Sequence, residues 1–154
     1  MIQYYNLADR IQYFSIVVDW LYEEWGDRKN NNRIYWESWV KSSLSKDDIP
    51  QTYIVLEKEE IIGTFSLWRC DLQSRQDLFP WLGGIFVKKE MRGKGVGIYI
   101  QNAAQIALRK LGYNRAYLFT DLNGFYEKTG WVFIDNIPDE KGNMVRLYSL
   151  MIKN

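Results

Sequence analysis

Arg92, Gly95 and Gly97 stand in the spacing R-x-x-G-x-G, inside a run from Pro80 to Gly97 that passes from apolar to basic to glycine-rich. The apolar part, Leu82 to Val87, is rich in β-branched and aromatic residues and predicts a buried strand. Directly after the glycines, Val96, Ile100, Ala103, Ala107 and Leu111 recur at the steps of one helix face. The turn Arg92, Gly93, Lys94, Gly95, Val96, Gly97 therefore lies where a strand hands over to a helix N-terminus. Such a position binds anions. The first N–H groups have no partner inside the helix, the helix dipole puts positive partial charge there, and glycine lets an oxygen come close to the backbone. Lys88, Lys89, Arg92 and Lys94, set against Glu90 alone, add charge of the same sign. A phosphate-bearing ligand fits this chemistry. A plain helix start, with its charges facing water, would use the same residues.

Two other phosphate loops fail on spacing. The string G-x-x-x-x-G-K-[ST] does not occur, and the three glycines run G-x-G-x-G where a dinucleotide fingerprint needs G-x-G-x-x-G. Composition removes further chemistry. The chain has no histidine, which excludes Ser-His-Asp and Cys-His catalysis and His-ligated metals, and a single cysteine, Cys70, which excludes an intramolecular disulfide and a thiolate metal cluster. A net charge of +1 gives no general attraction to nucleic acid or anionic membrane, so the basic turn must act locally. No apolar stretch approaches the length of a membrane span, and the N-terminal run lacks the basic-then-apolar plan of a signal peptide. A soluble, cytoplasmic protein is expected. The 7 Trp and 11 Tyr supply amphipathic surface for packing, and some of them for lining a groove.

The elements that must position the turn follow from periodicity. Ile2 to Leu7 predicts a first strand. Ile11, Phe14, Val18, Leu21 and Trp25 mark one face of a helix over Ala8 to Trp25, ended by Gly26. A polar connector leads to a second helix, Ile34 to Leu44, with Trp36, Val40 and Leu44 on one side. Gln51 to Glu57 and Ile61 to Trp68 read as a β-hairpin, and a polar segment from Asp71 to Asp77 leads into the central strand. After the helix from Val96 to Leu111, capped by Gly112, come a strand (Arg115 to Thr120), about two helical turns (Asp121 to Thr129), extended chain from Trp131 to Ile134, a turn at Pro138 to Gly142 and a final strand, Met144 to Ile152. At 154 residues, without repeat or linker, one α/β domain spanning 1–154 around a mixed sheet is expected.

A second run, Phe125-Tyr126-Glu127-Lys128-Thr129-Gly130-Trp131, follows downstream. It resembles the Y-E-K-x-G-[FW] segment of the GNAT (Gcn5-related N-acetyltransferase) family, just as R-x-x-G-x-G resembles that family's acetyl-CoA pyrophosphate loop. The resemblance covers Ile2 to Ile152 in plan and Trp81 to Trp131 in detail. It implies a three-layer α/β fold, with a mixed central sheet of about six to seven strands flanked by about four helices. It also implies an acyltransferase that moves an acetyl group from acetyl-CoA to a primary amine of a small molecule or peptide. By the same resemblance the backbone of Ile85, Phe86 and Val87 would pair with the pantetheine arm of CoA like an extra strand. Arg92 to Gly97 would hold the pyrophosphate, and the catalytic Tyr126 would donate to the departing thiolate. A tyrosine packed in an aromatic cluster is the alternative for Tyr126. An ordinary phenol near pKa 10 gives a proton to a thiolate near 8.5 uphill by about 2 kcal/mol, so hydrogen bonding is easier than full transfer.

The chain departs from the family at the base. Where many members carry a glutamate on the central strand this sequence has Trp81, and the strand through Val87 has no carboxylate. A lysine-like amine is neutral to only about 0.04% at pH 7, an α-amine to roughly 10–17%, so a weakly basic acceptor is expected, or water linking it to a distant acid. Glu23 and Glu24, with Asp27, are candidates for attracting the acceptor's cation; a solvated helix end offset by Arg28 and Lys29 is the alternative. A non-catalytic acyl-CoA-binding module and a nucleic-acid-binding domain are the rival functions. Assembly is left open, a homodimer included.

Overall fold

The computed structural model of the chain describes residues 1–153. Along the chain run β1 (Ile2–Asn6), α1 (Phe14–Trp25), α2 (Arg33–Lys41), β2 (Gln51–Glu57), β3 (Glu60–Trp68), β4 (Trp81–Val87), α3 (Val96–Lys110), β5 (Arg115–Thr120), β6 (Val132–Pro138) and β7 (Met144–Met151). The strands form one sheet in the order β1-β2-β3-β4-β5-β7-β6. Alternation along the strands sends side chains to two helical layers. Ile54 and Leu56 of β2 pack with Val17, Val18 and Leu21 of α1 and Val40 of α2, whereas Tyr53 and Val55 pack with Val96, Ile100, Ala103 and Ala104 of α3. The expected mixed sheet between helical layers is therefore present. No described helix is long and apolar enough to cross a membrane.

Several boundaries differ from expectation for local reasons. The first helix begins at Phe14, because Asn6 turns its side chain onto the Ala8 N–H and Arg10 leaves helical geometry (φ −138°, ψ 51°); two 3-10 turns fill the gap, and Ile11 is exposed. Gly26 ends α1 by close approach, since a Cβ there would lie 2.3 Å from the Tyr22 carbonyl oxygen. The two turns expected over Asp121 to Thr129 shrink to one 3-10 turn, Tyr126–Thr129, so the described residues form three α-helices where about four are expected. Gly124 (φ 84°) and Gly130 (φ 94°) bracket that turn in left-handed geometry and leave too few residues for a helix to propagate. Strand β6 runs on to Pro138, which the sheet tolerates because β6 is an edge.

One junction interrupts the sheet. All neighbouring strands are antiparallel except β4 and β5, which are parallel and paired only at Trp81 and Tyr117, with the Tyr117 N–H on the Pro80 carbonyl at 2.9 Å. Trp81 is fully buried and donates its Nε1–H to the Leu78 carbonyl at 2.7 Å. Beyond it the two strands part. Gly84 (φ 58°) marks the shift in the β3–β4 register on the other side of the same strand. Beneath it a buried chain of hydroxyls, Ser66 to Thr52 (2.8 Å) to Ser43 (2.6 Å), ends on the Val40 carbonyl (2.6 Å) and ties β3, β2 and the end of α2 together.

Candidate active site

The parting of β4 from β5 leaves one edge of β4 without a strand. The Lys88 N–H donates to the Ile62 carbonyl on β3 at 2.9 Å, so by strand alternation the N–H and C=O of Val87 face the other way, into the split. Arg92 reports the same direction, for its Nε–H reaches the Val87 carbonyl at 2.9 Å while its guanidinium lies 5.3 Å from the Phe86 ring centroid. Phe86 pairs with Thr64 and spends its own backbone groups on β3. Of the three residues expected to form the edge, Val87 thus faces the split and Phe86 faces β3, while Ile85 lies in the register shift beside Gly84.

At the end of the split stands α3. Gly95 is its N-cap in left-handed geometry (φ 86°), Gly93 two residues earlier has φ 75°, and a Cβ on either would meet no atom within 4 Å. The first helical bond is from the Tyr99 N–H to the Gly95 carbonyl at 3.0 Å, so the N–H groups of Gly95, Val96, Gly97 and Ile98 find no acceptor among the described residues. Gly97 admits Phe125, whose Cζ lies 3.1 Å from where a Cβ would be. The basic field is smaller than the sequence suggested, because Lys88 is paired with Glu60 on β3. Lys89, Arg92 and Lys94 make no ion pair with described residues.

Tyr126 lies on the α3 side of the sheet, in the same cluster as Val96 and Ile100. Its ring packs against Phe125 (centroids 5.0 Å apart), Tyr148 (6.0 Å) and Trp131 (6.3 Å), so the expected aromatic cluster is real. The Tyr148 hydroxyl donates to Glu127 at 3.1 Å, and Thr129 bonds to Gln101 of α3, which together fix the turn. Burial, with Asp121 nearby, pushes the Tyr126 hydroxyl up to about 12, and no hydrogen bond from the described residues holds it. A phenol this weak keeps its proton throughout the neutral range and acts as a hydrogen-bond donor.

The opposite face of the split is aromatic and acidic. Trp20 of α1 stacks on Phe86 at 4.8 Å, and Glu23 and Glu24, three and four residues further along α1, are exposed on the same side. Asp27 instead accepts from the Lys29 N–H and from Asn30, a turn-forming role. Trp39 of α2 stacks on Tyr35 at 5.9 Å and meets Trp68 edge-on at 5.2 Å. Against this wall lies Asp71, which sequence reasoning missed. Its Oδ2 stands 2.4 Å from where a Cβ on Gly83 would be, beside Trp68. Only glycine at 83 allows this approach. The carboxylate has no hydrogen bond or cation among the described residues; desolvation, with Glu140 nearby, pushes it up to about 7. Nothing local in the sequence marks Asp71, because Gly83, Trp68 and Glu140 come from three separate segments.

A family model described as "Acetyltransferase (GNAT) domain" matches residues 49–133, which include β4, the glycine turn, α3 and the Tyr126 turn. No curated protein matches the chain significantly. Among solved structures, an aminoglycoside 6'-N-acetyltransferase complexed with coenzyme A superimposes with a TM-score of 0.76 at 14% identity, covering 100% of this chain and 98% of that one. The aminoglycoside 6'-N-acetyltransferase from Enterococcus faecium gives 0.72 at 14%, with the same coverages. An acetyltransferase from Elizabethkingia anophelis with acetyl-CoA bound gives 0.65 at 15%, with 97% of each chain covered. At these identities the likeness is one of fold.

Asp71 makes stability depend on pH in a stated direction. Its proton is held by the folded chain up to about pH 7 but lost by the unfolded chain near the ordinary carboxylate value, so the stabilisation present in acid is lost as pH rises through 7. From about pH 5.5 to about pH 8.5 this group removes roughly 2 kcal/mol. Urea denaturation across that range is expected to show the decline in the native chain and a flatter profile in Asp71→Asn. Parallel profiles would mean that the carboxyl is not the source.

Proposed function

Because the chain belongs to the GNAT acetyltransferase family, with acetyl-CoA as its acyl donor, we propose that it transfers the acetyl group to a primary amine by direct attack in a ternary complex. One observation carries this reading: a sheet edge stripped of its partner strand leads straight to four unpaired helix N–H groups. The fit to the donor is chemical as well as spatial. An elongated amide-bearing arm needs backbone donors and acceptors, which the edge of β4 at Val87 offers, and a diphosphate needs N–H groups and a cation, which Gly95 to Ile98 and Arg92 offer. To reach a phosphate, Arg92 would use its terminal nitrogens or release the Val87 carbonyl.

When bound, the thioester supplies a carbon open to attack and a thiolate leaving group. Tyr126, neutral and short of a partner, donates its O–H toward the sulfur and stabilises developing charge without surrendering its proton. With the phenol at about 12 rather than 10, full transfer to a thiolate near 8.5 is uphill by about 5 kcal/mol, which favours the hydrogen-bonding role. The amine comes from the α1–α2 face, where Glu23 and Glu24 attract its cation. The acceptor is a small molecule or peptide, the whole chain acts as one domain, and its compartment is the cytoplasm, which suits a lone unpaired Cys70.

Three measurements check this. In calorimetry, acetyl-CoA and CoA are expected to bind the native chain with micromolar affinity and to bind Arg92→Ala with Gly95→Ala at least about tenfold more weakly, since one change removes the cation and the other strains a left-handed backbone. Absence of binding by the folded native chain would remove the basis of the reading. Tyr126→Phe is expected to lower kcat roughly 10²-fold with donor affinity nearly unchanged. Reversing the charges of Glu23 and Glu24 is expected to raise the acceptor's KM several-fold, and an unchanged KM would leave them as a solvated helix end. A protein that binds acetyl-CoA but acetylates no amine would be the non-catalytic module.

A further inference from the structure

We propose that Asp71 takes the proton from the attacking amine, working from the connector between β3 and β4 where β4 itself offers no carboxylate. This rests on the amine-transfer reading above and names the residue that it lacked. Position comes first. Gly83, against which the carboxylate lies, is two residues past Trp81, the last residue of β4 to pair with β5, so Asp71 stands where the split opens. Residues 81 and 83 share one face of the regular part of β4, the face on which Trp81 packs with Trp68, whereas Leu82 packs on the α3 side. Asp71 and Tyr126 therefore address the split from opposite faces, one at the nucleophile and the other at the leaving group.

The surroundings suit a base. A half-buried carboxylate beside apolar rings is ordinarily paired with a cation or with hydrogen-bond donors, and Asp71 has neither among the described residues. The groups that face it are Glu140 from the turn between β6 and β7 and Cys70 next to it in the chain; Tyr35 of α2 lies within the field of the same Glu140. The neighbouring cation, Arg69, is turned over the Phe79 ring at 5.6 Å. β4 contributes no charge at this point, and β3 contributes Trp68. Held up to about 7, the group is ionised at pH 8 and still basic enough to accept a proton from a weakly basic ammonium. An α-amine near 7.7–8.0 loses its proton to it uphill by only about one unit, a lysine-like amine by more than three.

The step balances. An N–H bond of the acceptor's ammonium breaks and its proton passes to a carboxylate oxygen of Asp71, freeing the nitrogen lone pair. As the C–N bond forms the C–S bond breaks, and its electron pair leaves on sulfur, beside the Tyr126 hydroxyl. A second proton from nitrogen neutralises the thiolate, and Asp71 returns its own proton to water.

The test uses the full chain with acetyl-CoA and two probe acceptors, glycinamide for an α-amine and N-acetyl-lysinamide for a lysine-type amine. In the protein without ligand, ¹³C-carboxyl NMR is expected to show one aspartate titrating near 7, assigned by its disappearance in Asp71→Asn. The native kcat/KM for glycinamide is expected to fall below a limb at the same pH. Asp71→Asn should lose that limb and, at about pH 8, some 10²- to 10⁴-fold of the rate, with acetyl-CoA affinity within about twofold. Should Asp71→Asn not fold, Glu140→Gln decides: removing the opposing charge must move both the NMR midpoint and the limb to lower pH together. Asp71→Asn with native rate and limb, or a limb that ignores Glu140→Gln while the NMR midpoint moves, overturns the proposal. A native chain that binds acetyl-CoA but acetylates neither probe nor any other amine overturns the transfer reading itself, and with it the role of Asp71.

Discussion

Backbone N–H and C=O groups withdrawn from water must find partners, and antiparallel pairing meets that demand at every border between neighbouring strands but one. The border between β4 and β5 is the exception. Joined to β5 through a single residue pair, β4 carries an edge that no strand covers, in the middle of the sheet rather than at its rim. The same deficit recurs at its end, where the first N–H groups of α3 lack acceptors. A ligand that extends along the first deficit and ends in an anion at the second satisfies both at once. The two sets of unpaired groups belong to consecutive stretches of chain, so one handover from strand to helix aligns them.

The split also divides the chemistry between faces. α3 and the Tyr126 turn lie on one side, locked together by Phe125 against Gly97 and by Thr129 on Gln101. α1, α2 and the β3–β4 connector lie on the other, with Trp20, Trp39, Trp68 and Asp71. A hydroxyl buried by its aromatic neighbours stays protonated, and a half-buried carboxylate without a partner among the described residues is raised to about 7. Burial shifts both groups in the direction that disfavours charge, yet the outcomes differ in use, one a permanent donor and one a group balanced near neutrality.

What the sequence revealed follows the range of the interactions involved. The strand, the glycine turn and α3 are legible because each is set by residues within a few positions of one another; the Tyr126 segment is legible only in place, since the two helical turns expected there are one 3-10 turn. Expectation failed where distant residues decide. The pairing of Lys88 with Glu60 depends on β3 lying beside β4, and the environment of Asp71 is assembled from β3, β4 and the β6–β7 turn. The apolar spacing predicts a first helix longer than the one that forms, because spacing cannot show that the Asn6 side chain captures the Ala8 N–H. Likewise Ile85, Phe86 and Val87 look equivalent in sequence; only the register with β3 assigns Phe86 inward and Val87 outward.

The single pairing at Trp81 and Tyr117 has a mechanical side. Strands β1 to β4 form one continuous plate and β5 to β7 another, and the two share a pivot at one end of their common border. From Trp81 to Val87 the arm is about 20 Å long at the usual rise of a strand. A relative rotation of about 3° at such a pivot opens or closes the far end by about 1 Å, the scale on which a hydrogen bond is made or lost. For such a rotation the displacement would be largest far from Trp81, at Val87 and the glycine turn, and least beside it, where Asp71 meets Gly83.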